Sequence, residues 1–230
     1  MISIMQNFIC TDAKRLQVLL DNLPRLGTSL KDFEFFVNFN DTINFDTIKD
    51  AYINNINKLN FYNSLEKNWA EIILAILEEV KTPYIMNLCE DQVVHFSAAD
   101  MHNVLGEIKD LDIDYINLTK MFKYSKSGFS GYESQEYGFT YLGKDSPTGR
   151  LSTDCMVKVD FWKERLVEFL QNKHNCPHKI PFPHENLPNY FEGYFDHTIG
   201  IRQFRDLKCY IPKLVMFVEY TDSLEKGTYI

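Results

Sequence analysis

The feature that most constrains this chain is an alternation, through its first half, of short apolar runs with longer segments of helical periodicity. Ile2–Phe8 reads as a buried strand. Thr11 and Asp12 can cap a helix that carries Leu16, Leu19, Leu20 and Leu23 on one face, and Pro24 is expected to end it. Phe33, Phe35, Val37 and Phe39 alternate as a strand, closed by the turn chemistry of Asn40-Asp41. A helix follows from Asp46 to about Asn57 with Ile48, Ala51, Tyr52 and Ile56 inward, then a candidate strand over Leu59–Phe61. The clearest helix runs from Ser64 to Val80, marked by Leu65, Trp69, Ile72, Ile73, Ile76 and Leu77, with Trp69 expected in the core. Thr82-Pro83 stops it, and Tyr84–Leu88 is a compact apolar strand. Ser97-Ala-Ala-Asp100 resembles a capping box before Met101, Val104, Leu105 and Ile108, and Tyr115–Leu118 reads as one more strand.

Strands separated by helices cannot pair as hairpins; the crossover makes neighbouring strands parallel and covers both faces of the sheet. The expected fold is α/β: a single Rossmann-like domain with a mixed, mainly parallel central sheet flanked by helices. In such sheets ligands sit beyond the carboxyl ends of the strands. That rule gathers Phe8–Asp12, Asn40-Asp41 and Glu90-Asp91-Gln92 along one edge, although they are far apart in sequence.

The second half is less regular. Lys123–Gly149, rich in Gly, Ser and Tyr, reads as a loop or hairpin excursion over the site. Leu151–Val159 suggests a strand, and Asp160 can cap a helix through Phe161, Leu166, Phe169 and Leu170. The prolines of Cys176–Pro188 predict irregular backbone; Leu214–Val218 is a late strand, and a short helix is expected after Tyr220. Residues 1–118 thus form one functional half and 119–230 the other.

A formal net charge of −8 argues against nucleic acid as a partner, because phosphate backbones are held by clustered Lys and Arg. The five cysteines are scattered without C-x-x-C spacing, which fits neither a zinc site nor a disulfide framework. Met1–Gln6 lacks the basic region and long apolar run of a signal peptide, and no stretch approaches the ~20 apolar residues of a transmembrane helix. A reduced, cytoplasmic setting is expected.

Thr82-Pro-Tyr-Ile-Met-Asn-Leu-Cys-Glu-Asp-Gln92 resembles the segment of nucleotide-sugar glycosyltransferases with the glycosyltransferase A fold in which a helix leads into a buried strand ending in acidic residues. The opening strand followed by Thr11-Asp-Ala-Lys-Arg-Leu16, and the closing Val218-Glu-Tyr-Thr-Asp-Ser-Leu-Glu-Lys-Gly227, resemble the corresponding parts of bacterial and viral members. The likeness is good over Met1–Val94 and patchy beyond. It implies a nucleotide-sugar donor, a carbohydrate acceptor, and a divalent cation (Mn or Mg) at the donor diphosphate. One departure is Gln92, which stands where the family's last carboxylate is usual; an amide oxygen can coordinate a hard cation but adds no charge.

Glu90 and Asp91 follow an apolar strand, so the cost of burying them must be offset by positive charge, from a cation with donor phosphates or from a helix or turn they cap. Asn40 and Asp41 would meet the base or ribose, as residues after the second strand do in the family, or form an ordinary turn. Thr11 and Arg15 would approach the nucleotide, Arg15 as a fixed charge for the diphosphate, unless they are a plain helix start. His197 is the late histidine that the resemblance would add to Asp91 in a metal shell, and a surface histidine otherwise. Transfer needs a carboxylate to accept the acceptor's hydroxyl proton. Glu192 lies where relatives place one, flanked by Tyr190, Phe191 and Tyr194 as flat surfaces for a sugar ring or as a hydrophobic helix; Asp154 is the alternative base. Two rivals remain. A sugar-nucleotide nucleotidyltransferase should carry a Gly-rich loop after the first strand, which Phe8-Ile-Cys-Thr-Asp12 lacks; a degenerate domain would bind nucleotide or glycan without turnover.

Overall fold

The computed structural model describes residues 1–8, 13–39, 44–62, 68–88, 92–94, 97–118, 139–141, 155–175, 191, 194, 209–212 and 217–219. In chain order these form β1 (Ile2–Phe8), α1 (Ala13–Leu30), β2 (Glu34–Phe39), α2 (Phe45–Asn55), β3 (Lys58–Tyr62), α3 (Trp69–Glu79) and β4 (Tyr84–Leu88). There follow β5 (Gln92–Val94), α4 (Ala98–Leu111), β6 (Tyr115–Asn117), β7 (Phe139–Tyr141), β8 (Cys155–Lys158), α5 (Val159–Asn172), β9 (Cys209–Pro212) and β10 (Phe217–Glu219).

Among the described residues, eight strands make one sheet in the order β3-β2-β1-β4-β8-β6-β9-β7, and β5 pairs with β10 in a separate ribbon. The block β3-β2-β1-β4 is wholly parallel, as helical crossovers require. β8 runs antiparallel to both β4 and β6, β9 is parallel to β6, and β7 is antiparallel to β9. The sheet is therefore mixed and mainly parallel, with its parallel block in the first half.

Helices cover both faces. Leu19, Leu23, Leu26 and Leu30 of α1, Ile48 and Tyr52 of α2, and Met101 and Ile108 of α4 pack with Ile4, Phe35, Val37, Phe39, Met86 and Leu88. On the other face Trp69, Ile72, Ile73, Ile76 and Leu77 of α3, and Trp162, Leu166 and Phe169 of α5, pack with Met5, Phe36, Ile85 and Val157. This double cover explains why β2 is not half-exposed: every residue from Phe35 to Phe39 is buried, odd positions toward one layer and even positions toward the other.

Two helix boundaries differ from expectation. Pro24 does not end α1, which continues to Leu30. A proline inside a helix lacks one N–H, but Leu26 and Leu30 beyond it are fully buried, and that burial outweighs the lost bond. Asp160 does not cap α5; the cap position is Lys158 with no side-chain bond, and Asp160 sits in the first turn, where a carboxylate favours the helix dipole. The strand expected over Leu151–Val159 is described from Cys155, and Val159 already belongs to the helix. The Ser97–Asp100 capping box forms as expected: Ser97 Oγ accepts from Asp100 N while the Asp100 carboxylate accepts from Ser97 N at 2.9 Å. Trp69 is in the core at 7 % exposure. Gly27 lets α1 and α2 meet, since a Cβ there would lie 2.7 Å from the Asn55 carbonyl oxygen.

Candidate functional site

Because β3, β2, β1 and β4 are parallel, Tyr62, Phe39, Phe8 and Leu88 end at one edge of the sheet. From β1 the chain crosses through α1 to β2 and β3 on one side, then returns to lay β4 on β1's other side. The crevice between β1 and β4 is therefore a topological switch point, where doubly wound sheets take their ligands.

The expected site residues meet this frame unequally. Phe8 is the last residue of β1, in register with Phe39 of β2. Arg15 lies in the first turn of α1, and Gln92 opens β5 opposite Glu219 of β10. Thr11, Asn40, Asp41, Glu90, Asp91, Asp154, Glu192 and His197 lie outside the described residues. In sequence, Glu90 and Asp91 bridge β4 to β5, and Asp154 immediately precedes β8. Among the described residues no group of three or more His, Cys, Asp or Glu could hold a metal ion.

Of the aromatics around Glu192, Phe191 and Tyr194 are core rather than sugar-facing surfaces, at 0 % and 3 % exposure; Tyr190 lies outside the described residues. The Phe191 ring lies 5.4 Å from Trp69, 5.2 Å from Trp162 and 5.3 Å from Phe169, and Tyr194 lies 5.4 Å from Phe169. The hydrophobic-helix alternative is the correct one for these two side chains. Their position follows from the gap between α3 and α5, which they fill.

Sequence reasoning missed a set of amides beneath the ligand edge. Gln6 and Asn38 are 0 % exposed and Asn87 is 4 % exposed, while Asn7 is half-buried. On the α1/α2 face, the Tyr52 hydroxyl donates to Gln6 Oε1 at 2.7 Å, and Gln6 Nε2 has no partner among the described residues. On the α3/α5 face, Asn38 Nδ2 donates to Asn7 Oδ1 at 2.7 Å. Asn87 continues that face from Ile85 and pairs with Met5 of β1 and Cys155 of β8. The signal was visible as amides inside apolar strand runs, Phe36-Val-Asn38-Phe39 and Tyr84-Ile-Met-Asn87-Leu88.

Tyr62, at the end of β3, donates to Glu79 Oε2 at 2.8 Å. Burial, and then that hydrogen bond, push its phenol above the ordinary tyrosine range, so it stays a neutral donor. A charge cluster lies at the opposite edge, where Lys158 Nζ meets Asp112 and Asp114 at 2.7 Å each, beside the start of β4. Among the described residues, the carboxyl edge has neutral amides and aromatics beneath it.

By sequence, no family model and no curated protein matches the chain. By structure it resembles Staphylococcus aureus TarS, with a TM-score of 0.60 at 14 % identity over 97 % of this chain and 38 % of that one. TarS 1–349 in complex with UDP gives 0.57 at 14 % identity, over 97 % of this chain and 62 % of that one. The Pyrobaculum calidifontis mannosyltransferase PcManGT, in complex with GDP-Man and Mn²⁺, gives 0.57 at 11 % identity over 95 % of this chain and 56 % of that one. The chain therefore spans about two fifths to three fifths of the length of these glycosyltransferases. The 4-diphosphocytidyl-2C-methyl-D-erythritol synthase of Anaerococcus prevotii gives 0.54 at 9 % identity over 99 % of this chain and 94 % of that one. The strand order, the switch point and these neighbours together identify the architecture as the glycosyltransferase A fold.

Proposed function

We propose that the protein transfers a sugar from a nucleotide-sugar donor to a hydroxyl of a carbohydrate acceptor. The observation that carries this reading is the convergence of β1, β2 and β4 at one switch point in this fold, with Glu90-Asp91 as the next acidic residues in sequence after β4. Residues 1–118 would supply the donor side through Phe8, Thr11, Arg15, Asn40, Asp41, Glu90, Asp91 and Gln92, and residues 119–230 the acceptor side. Asp91, with His197, would hold a divalent cation, and Gln92 would offer an amide oxygen. Such a cation neutralises charge on the departing diphosphate. Glu192, or alternatively Asp154, would take the acceptor's proton. Among the described residues no helix is long and apolar enough to cross a membrane.

A second reading, nucleotidyl transfer to a sugar phosphate, rests on the likeness of the fold to the erythritol synthase, at a TM-score of 0.54. Thermal unfolding with UDP-GlcNAc, GDP-mannose, CTP and UTP, each with and without Mn²⁺, separates the two. Ligand at 100 times its dissociation constant adds about 2.7 kcal/mol. Stabilisation by a nucleotide-sugar, followed by release of nucleoside diphosphate in the presence of glycan, is the expected result. Stabilisation by a triphosphate alone, with pyrophosphate release from a sugar phosphate, establishes the second reading. Binding without turnover of either kind identifies a binding domain.

A further inference from the structure

We propose that Asn7 is a fixed hydrogen-bond donor to an acceptor oxygen in the nucleoside portion of the bound nucleotide, and that Asn38 positions it. This rests on the donor reading above and names a contact within that site.

β1 and β2 are covered on both faces, so an apolar residue is the expected occupant of position 38, where Phe36 precedes on the same face. A fully buried amide is expensive there unless it is hydrogen-bonded. The Asn38 side chain gives its Nδ2–H to Asn7 Oδ1 across the strand pair at 2.7 Å, and the two residues are in register. That bond fixes the Asn7 amide. An amide held by its oxygen presents its nitrogen the other way, and Asn7 Nδ2 meets no partner among the described residues.

Place and chemistry then agree. Asn7 is the penultimate residue of β1, half-buried, on the strand that borders the switch point. A neutral N–H donor matches a carbonyl or hydroxyl oxygen of a base or ribose. Phosphate oxygens are matched better by charged donors, whose bonds are about twice as strong. A donor already oriented before binding loses little freedom when it engages.

The test measures binding of UMP, UDP, GMP, GDP, CMP and CDP by calorimetry to the full chain and to three variants. Asn7→Asp keeps the acceptor for Asn38 and removes both N–H donors but adds a negative charge; Asn7→Leu removes the donors without adding charge. Both should weaken the nucleotide that wild type binds by roughly 10- to 100-fold, the range for leaving a ligand acceptor unpaired. The loss should be equal for its mono- and diphosphate. Asn38→Val frees the Asn7 amide, so affinity should fall several-fold while the melting temperature holds or rises, a split that a purely structural role would not give. Wild-type affinity in folded Asn7→Asp and Asn7→Leu overturns the inference, and so does a loss confined to the diphosphate. Failure of wild type to bind any of the six overturns the donor reading and this inference with it.

Discussion

The Tyr52 hydroxyl donates to Gln6 Oε1 over 2.7 Å at a point where neither side chain reaches solvent. The bond ties α2 to the strand that borders the switch point, and it half-satisfies an amide whose nitrogen is left unpaired among the described residues. Removing the donor alone leaves Gln6 worse off than before. Tyr52→Phe should therefore destabilise the protein by about 1–3 kcal/mol. Pairing it with Gln6→Met removes both polar partners, and the double variant should recover most of that loss. Urea unfolding of the two single variants and the double one checks this; strict additivity would show that the two residues are not coupled.

Phe191 sits against Trp69 of α3 and against Trp162 and Phe169 of α5, so one ring joins two helices to a residue distant from both in sequence. Phe191→Ala should cost about 3–5 kcal/mol, as for other fully buried aromatic rings. It should also shift tryptophan emission to longer wavelength, because both indoles border the cavity. A loss below about 1 kcal/mol with unchanged emission would remove Phe191 from this joint.

The parallel block was legible in the sequence because its elements report their own environment. Tyr84–Leu88 and Ile2–Phe8 carry apolar residues on both sides of the pleat, broken only by Ser3 and the amides, and the Leu65–Val80 pattern has a single helical stripe. The end of α1 was not legible. Pro24 is a local stop signal, whereas the burial of Leu26 and Leu30 that overrides it depends on β2, Tyr52 and Ile56, which are distant in sequence. The role of Phe191 and Tyr194 was ambiguous for the same reason: an aromatic stripe looks alike whether it faces a sugar or Trp162. The carboxyl edge was legible through the strand ends, while the acidic residues expected beyond it, Asp41, Glu90 and Asp91, lie outside the described residues. Its amide lining was overlooked because Asn7 and Asn38 form a pair only after β1 and β2 come into register.

The capping box of α4 makes a pH prediction. The Ser97 backbone N–H, and then its hydroxyl, bond to the Asp100 carboxylate and hold its pKa below the ordinary value. A lowered folded-state pKa contributes stability above the unfolded value of about 3.9 and loses it as pH falls through the folded pKa. Asp100→Asn should therefore lower the melting temperature at pH 7, and the gap from wild type should close in acid, below about pH 4. A gap that stays constant from pH 7 to pH 3 would show that the carboxylate's charge is not what the cap uses.

At the donor side, Asp91→Ala should abolish nucleoside-diphosphate binding and leave the melting temperature of the apo protein unchanged. The reason is its place in sequence: it follows β4, whose carboxyl end lies at the switch-point edge, and immediately precedes β5. Calorimetry with UDP and GDP, with Mn²⁺ present and absent, checks it. Unchanged affinity in a folded variant would move the diphosphate away from Asp91.

Under the proposed function, Glu192 would be the base that takes the acceptor's proton. Its sequence neighbours Phe191 and Tyr194 are anchored in the α3/α5 layer, on the same sheet face as Asn7, Asn38 and Asn87. The competing base, Asp154, adjoins Cys155, which pairs with Asn87 on that face as well. Both carboxylates adjoin described residues of that layer in sequence, and substitution distinguishes them. Glu192→Gln preserves shape and removes the base, so sugar transfer should fall by roughly 10²–10⁴-fold while UDP or GDP binding survives. If Glu192→Gln keeps near-wild-type turnover and Asp154→Asn loses it, the base is Asp154. If both variants transfer normally, neither residue takes the proton, and the acceptor side must be built from other groups.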